Sequence, residues 1–242
     1  MASLFAAVEQ APRDPILGLT EQFHADPNPA KVNLGVGVYF DENGKLPLLE
    51  CVKAAEASMT EAPKARNYLP IDGMAAYDSA VQDLVFGADN PHRKAGRVAT
   101  IQAVGGTGGL KVGADFLKRL NPDAGVLISD PSWENHRALF EGAGFRVATY
   151  PYYDATANGV DVPAMVAALN AAAPGTVVVL HACCHNPTGY DIAPHDWAQV
   201  IDAVRARQLV AFLDLAYQGF GDGIAEDGEV VQMFLEAGVD FL

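Results

Sequence analysis

The chain has 242 residues, half of them hydrophobic, and a formal net charge of −14. That length suits one large domain, or one with a smaller lobe, and allows a sizeable core. The acidic balance argues against nucleic-acid phosphate as the main partner, since such binding needs clustered Lys and Arg, but it leaves room for a local cationic pocket.

The cysteines are Cys51, Cys183 and Cys184. An odd count with two adjacent does not suggest a disulfide framework and points to a reducing compartment. The first residues, MASLFAAVEQAPRDP, lack the basic start and long apolar segment of a signal peptide. No stretch approaches the roughly 20 apolar residues of a membrane span. The expectation is a cytoplasmic protein with no membrane and no nucleic-acid partner.

Residues 1–31 read as an arm with a short helix near Leu19–Phe23. Val32–Tyr39 reads as a short strand or a loop, with Gly35 and Gly37 allowing a sharp bend or close backbone approach. Asp41–Gly44 is a turn. Helices are expected over Leu48–Met59 and Ala75–Phe86, with Asn67–Gly73 a loop between them.

From Arg97 the rhythm becomes strand and helix. Val98–Val104 is predicted as a strand, GGTGG (Gly105–Gly109) as a tight junction, and Leu110–Leu120 as a helix. Val126–Ser129 is a strand ending in Asp130-Pro131-Ser132-Trp133. Helix Glu134–Glu141, strand Phe145–Tyr150 and helix Val162–Asn170 follow. The apolar run Val177–Leu180 and the run Leu209–Leu213 bracket a helix ending near Arg207. In that helix Trp197, Val200, Ile201 and Val204 form a core-facing stripe. Val230–Ala237 is a helix, and Val239–Leu242 reads as the opening of a strand, so the sequence reads as truncated. This alternation predicts an α/β fold, a mainly parallel sheet covered by helices in three layers. In such sheets ligands bind at the carboxyl ends of the strands, which draws attention to Asn186, Asp214 and Tyr217.

GGTGG follows the predicted strand and opens a helix. Backbone N–H groups there form an anion site, with Thr107 adding a hydroxyl, or a tight turn with no ligand. The spacing fits neither G-x-G-x-x-G nor G-x-x-x-x-G-K-[ST], which argues against a nicotinamide dehydrogenase or a Walker loop. His181, Cys183 and His185 alternate and with Cys184 resemble a metal cluster, yet the spacing matches no usual zinc pattern. They read as small buried thiols beside a hydrogen-bonded histidine, with no metal. Asp214 is a helix cap or a partner for a buried cation. Trp133 is core or an aromatic wall, and His136, three residues on, shares its helix face.

Together the segments NLGVGVY, NYLPIDG, GGTGGLKVGADFLKR, SDPSWENH, HACCHNPTGYD and FLDLAYQGF resemble class I pyridoxal-phosphate aminotransferases, in the aspartate and aromatic-amino-acid branch. RVATIQAVGGTGGLKVGADFLKR and FGADNP are more similar to aromatic-amino-acid (tyrosine) than to aspartate-specific members. The resemblance covers essentially the whole chain. It implies the large domain of that fold over residues 46–242, incomplete at its C-terminal end, and an arm plus part of a small domain over residues 1–45.

It also implies roles. Gly106 and Thr107 would bind the cofactor phosphate, and Tyr68 would reach the phosphate in the neighbouring subunit of a homodimer with shared active sites. Trp133 would stack on the pyridine ring with His136 behind it. Asn186 and Tyr217 would hydrogen-bond the phenolic oxygen. Asp214 would pair with the ring nitrogen, supported by His181. Gly37, Trp133 and Asn186 would line the substrate carboxylate pocket, and the arm would pack across the dimer. The implied reaction is transamination between an aromatic or dicarboxylic amino acid and 2-oxoglutarate. Its alternatives are an aspartate-specific enzyme and a non-catalytic fragment that binds pyridoxal phosphate or phosphate. The family's Schiff-base lysine belongs to an S-x-S-K-like segment expected beyond Leu242. None of Lys31, Lys45, Lys53, Lys64, Lys94, Lys111 and Lys118 fits that pattern, so this chain is expected to be inactive alone.

Overall fold

The computed structural model describes Ser3, Ala6, Val8, Glu9, residues 15–32 and residues 37–242. The rest of the N-terminal arm, and Asn33 to Val36 with Gly35, lie outside the described residues. The chain divides into two compact units, Met1–Asn67 and Tyr68–Leu242.

The first unit holds two helices, α1 (Pro15–Ala25) and α2 (Glu50–Glu61). The Lys31 ammonium donates to the Phe23 carbonyl and lies over the Phe23 ring, 4.5 Å from its centroid. The Asp41 carboxylate accepts from the Asn43 and Lys45 backbone N–H groups, which closes the expected turn. Val52 and Met59, on the apolar stripe of α2, remain exposed. Val32 and the residues from Gly37 to Tyr39 form no strand.

The second unit begins with α3 (Ala75–Phe86), α4 (Pro91–Lys94) and α5 (Gly105–Leu120). It continues β1 (Gly125–Asp130), α6 (Glu134–Gly142), β2 (Arg146–Pro151), the short pair β3 (Tyr153–Asp154) and β4 (Gly159–Val160), α7 (Val162–Ala171) and β5 (Val177–His181). It closes with α8 (Trp197–Ala206), β6 (Val210–Asp214), α9 (Ile224–Asp227) and α10 (Glu229–Glu236). The main sheet is parallel throughout, in the order β2-β1-β5-β6. The Val239–Leu242 segment adds a single parallel bridge, Phe241 to Ala211, beside β6.

Two sequence expectations need correction. Val98–Val104 is not a strand. Among the described residues its one long-range backbone bond runs from Gln102 N–H to the Asp72 carbonyl, and Ile101 and Val104 are exposed, so an extended apolar run found no ladder to join. The glycines of GGTGG are not a junction before a helix but the first turn of α5 itself. Glycine's unfavourable helix propensity of about 1 kcal/mol did not set this boundary, because tertiary packing holds the helix to the sheet.

The core explains that packing. Every residue of β5 is buried, as a strand covered on both faces must be. Val178 and Leu180 point into a cluster with Trp197, Val200, Ile201 and Val204 of α8, Met165 and Leu169 of α7 and Phe234 of α10. Val177 and Val179 point the other way, toward Phe212, Phe140 of α6 and Leu110, Ala114 and Leu117 of α5. Helices, sheet and helices make three layers. Among the described residues no helix is long and apolar enough to cross a membrane.

Helix α5 lies unusually close to β6. A β-carbon built on Gly113 would stand 2.7 Å from Cε2 and 2.9 Å from Cζ of the Phe212 ring. That ring is buried and packed edge-on against Phe140, with ring centroids 5.5 Å apart. Gly113→Ala is therefore expected to destabilise the fold by about 1 kcal/mol, an overpacking cost of about 2 kcal/mol less a gain in helix propensity of about 1 kcal/mol. Urea denaturation of the two proteins checks this, and an unchanged or raised midpoint would refute the tight approach.

Candidate functional site

The carboxyl ends of β1, β5 and β6 and the N-terminus of α5 open onto one cavity of about 150 Å³. It is lined by Gly106 and Leu110 of α5, Trp133, His181, Cys183, Asn186, Asp214, Ala216 and Tyr217. The parallel register of β5 and β6 places His181 opposite Asp214. The crossover loop after β5 brings in Asn186, and the loop after β6 brings in Tyr217. Thr107 follows Gly106 in the first turn of α5 and is exposed. Tyr68 lies outside the lining and is 99% exposed. Gly37 belongs to the first compact unit.

The two ends of the cavity differ in electrical character. The first-turn N–H groups of a helix have no intrahelical partners, so the Gly106 end carries a positive partial charge. Asp214 supplies negative charge at the other strand exit. His136 Nε2 stands 2.8 Å from Asp214 Oδ2, and His136 Nδ1 stands 2.9 Å from Ser132 Oγ. An ionised carboxylate only accepts, which puts the shared proton on Nε2. His136 is fully buried, so this chain of three groups fixes the direction of the Asp214 carboxylate. Trp133 caps the start of α6, and its ring meets His136 edge-on at 5.4 Å, as their spacing predicts.

His181 lies behind this pair. Its ring packs against His136 at 4.9 Å and against His185 at 4.3 Å. Both of its ring nitrogens are buried without a hydrogen-bond partner. Burial, then the neighbouring His185 and His136, hold its pKa down to about 3. The hydrogen-bonded histidine of the segment is His185, with Ser129 Oγ 2.9 Å from Nε2 and Thr188 Oγ1 2.8 Å from Nδ1. Its ring stacks on Tyr152 at 3.9 Å, and burial lowers its pKa to about 4.

Sequence reasoning missed the residues that shape the two loops. Asp191 accepts from the backbone N–H groups of Cys184 and His185, each at 2.7 Å, and so folds the turn that presents Asn186. Asp227 accepts from Gly219, Gly221 and Asp222 N–H groups at 2.8–2.9 Å and shapes the loop beyond Tyr217. Burial pushes the Asp227 carboxyl up, but these donors outweigh it and leave it below the usual range. An acidic residue just past Pro-Thr-Gly was the available signal for Asp191, whereas Asp227 sits in a short helix with no local mark. None of the seven lysines lines the cavity, and Lys111, nearest in sequence to Gly106, pairs with Asp115.

A parallel sheet whose strand exits face a helix N-terminus across an aromatic-walled cavity suits a ligand with an anionic end and a cationic end. The chain belongs to the aminotransferase class I and II family, whose model matches residues 29–242. It is 61% identical over 239 residues to an aspartate aminotransferase of Pseudomonas aeruginosa, covering 99% of this chain and 60% of that protein. It is 49% identical over 240 residues to an aromatic-amino-acid aminotransferase of Escherichia coli, again covering 60% of the relative. Among solved structures, an aromatic-amino-acid aminotransferase from Burkholderia pseudomallei, covalently bound to pyridoxal phosphate, is 62% identical. It superposes with a TM-score of 0.96 over 99% of this chain and 60% of that one. The chain thus spans about 60% of the length of the relatives it matches.

The two neutral histidines predict an acid response. The folded state holds both rings below the ordinary 6.5, whereas the unfolded chain takes up their protons from about that pH downward. Stability is therefore full above pH 6.5 and falls as pH drops toward 4 and then 3. The slope is about 1.4 kcal/mol per pH unit for each histidine. Urea midpoints measured down to about pH 5, above most carboxylate titration, read the effect. A midpoint that is flat over this range would show the rings to be charged or exposed.

Proposed function

We propose that this chain is the cofactor-holding part of a pyridoxal-phosphate-dependent aminotransferase acting on aromatic or dicarboxylic amino acids with 2-oxoglutarate. The observation that carries the reading is the cavity with Gly106 at one end and the His136-bonded Asp214 at the other. The residues fit the group. A phosphate suits the free N–H groups of the α5 first turn, and a pyridinium suits a half-buried, oriented carboxylate. His181, whose two ring nitrogens are buried and unpartnered, is among the residues that line the cavity.

Each side chain then has a task. Gly106 and Thr107 hold the phosphate. Asp214 keeps a proton on the ring nitrogen, and His136 and Ser132 keep Asp214 aimed at it. His181, held neutral, adds no competing positive charge beside that proton. Trp133 provides a flat wall for the ring, and Asn186 and Tyr217 donate to its phenolic oxygen. Trp133 and Asn186 make room for the substrate carboxylate. The bound cofactor supplies an electron sink that acidifies the amino acid's α C–H bond. The lysine that would carry the proton is not among the residues lining this cavity, so the chain alone binds without turning over.

Homodimerisation belongs to the same reading. Ile71, Ile101 and Val104 line an open apolar groove of about 500 Å³ near the exposed Tyr68, a surface suited to a second copy. A cytoplasmic location fits the odd, unpaired cysteines. The 61% identity to a protein named an aspartate aminotransferase favours a second reading, aspartate preference. Tyrosine and aspartate turnover, compared in a version of the protein that includes the lysine, separates the two.

Pyridoxal phosphate added to the 242-residue chain is expected to quench tryptophan fluorescence saturably, with no borohydride-trapped lysine adduct in the cavity. Asp214→Ala is expected to weaken that binding about 10- to 100-fold, the value of a hydrogen bond to a charged group. Robust transamination of tyrosine by this chain alone, or binding indifferent to Asp214, would overturn the assignment.

A further inference from the structure

We propose that Cys183, Cys184 and Asp227 form a binding site for a single thiophilic divalent cation of the zinc or cadmium class. The two sulfurs and an Asp227 carboxylate oxygen all lie within 4.8 Å of one another. Cys183 and Asp227 are buried and Cys184 is half-buried. Four ligands about 2.3 Å from a tetrahedral zinc stand about 3.8 Å apart, so the three atoms need to close by about 1 Å at most. The longer bonds of cadmium ask for less.

The backbone is shaped to bring the thiols together. Neighbouring side chains on an extended segment point to opposite sides. Cys184 instead has φ +49°, a left-handed conformation costly for a residue with a β-carbon. The Asp191 carboxylate holds it there through the Cys184 and His185 N–H groups. The proposed function gives the two adjacent thiols no task, although Cys183 also borders the cofactor cavity. Asp227 arrives from α9, and its backbone donors fix its carboxylate in place before any ion binds.

A second cavity, of about 70 Å³, opens on this cluster. Cys183, Asp191, Asp222, Glu226, Asp227 and Glu229 are among its lining. It is large enough for a water to complete the coordination. Four carboxylates besides Asp227 make its field attractive to a cation, and among the described residues no Lys or Arg lines it. Each thiol gives up its proton to solvent as its sulfur–metal bond forms. The sequence pattern His181, Cys183, His185 suggested a different set. His185 is instead engaged by Ser129 and Thr188, and the third ligand comes from far along the chain.

Cadmium chloride titrated into the 242-residue chain, with Cys51→Ser and a thiol-free reductant, tests this. The expected result is an ultraviolet thiolate-to-cadmium band that saturates at one ion per chain. Adding Cys184→Ser is expected to weaken binding at least about tenfold and to diminish the band, while Asp227→Asn weakens binding with the two-sulfur band retained. Far-ultraviolet circular dichroism identifies any variant that fails to fold, and the Cys183→Ser variant supplies the same comparison. Absence of the band, or a band unchanged in folded Cys183→Ser and Cys184→Ser, overturns the proposal. So does cadmium binding that lacks the sulfur band and is lost in His181→Asn, which places the ion among His136, His181 and Asp214 instead.

Discussion

The parallel pairing of β5 with β6 is the constraint on which the site depends. The ladder runs in step from Val177 against Val210 to His181 against Asp214, so both strands end at the same level. Both are buried on two faces, and slipping the register by one residue would turn every side chain to the wrong layer. With the register fixed, the loops that leave the two strands start side by side. Asn186 and Tyr217 reach one cavity because of this, although neither loop has regular secondary structure.

Beneath the cavity the protein keeps three imidazoles in a row, with His181 packed between His136 and His185. Charged, they would repel one another strongly in so dry a place. Two different solutions are used. His185 satisfies both nitrogens with hydroxyls, and His181 has neither satisfied yet is held neutral by burial. His136 alone faces a carboxylate. The arrangement concentrates negative character on one oxygen pair at the strand exit, the character that the proposed pairing with a protonated ring requires.

Much of this was legible in the sequence because it is local. The buried stripe of α8, the continuous apolar runs of β5 and β6 and the Trp133–His136 spacing each lie within a few residues. The family motifs around Asn186 and Asp214 sit at strand exits, where topology alone sends ligands. What was not legible depends on distant partners. The His136–Asp214 bond joins residues 78 apart, and the bond from Asp227 to Gly219 crosses a glycine-rich loop with no periodic pattern. Val98–Val104 has the composition of a strand, but a strand also needs a neighbour. The start of α5 was not legible because glycine's local preference disfavours a helix, and only packing on the sheet beneath overrides it.

That closeness of α5 to the sheet has a consequence for which molecules the cavity admits. Gly113 lies two turns beyond Gly106 on the same rigid rod, and it touches β6 only two residues before Asp214. The missing side chain therefore acts as a gauge block between helix and strand. It sets the span from the Gly106 end of the cavity to the Asp214 end. A bulkier residue would lift the rod and lengthen that span. Molecules with the same two charged ends would then be sorted by the distance between them.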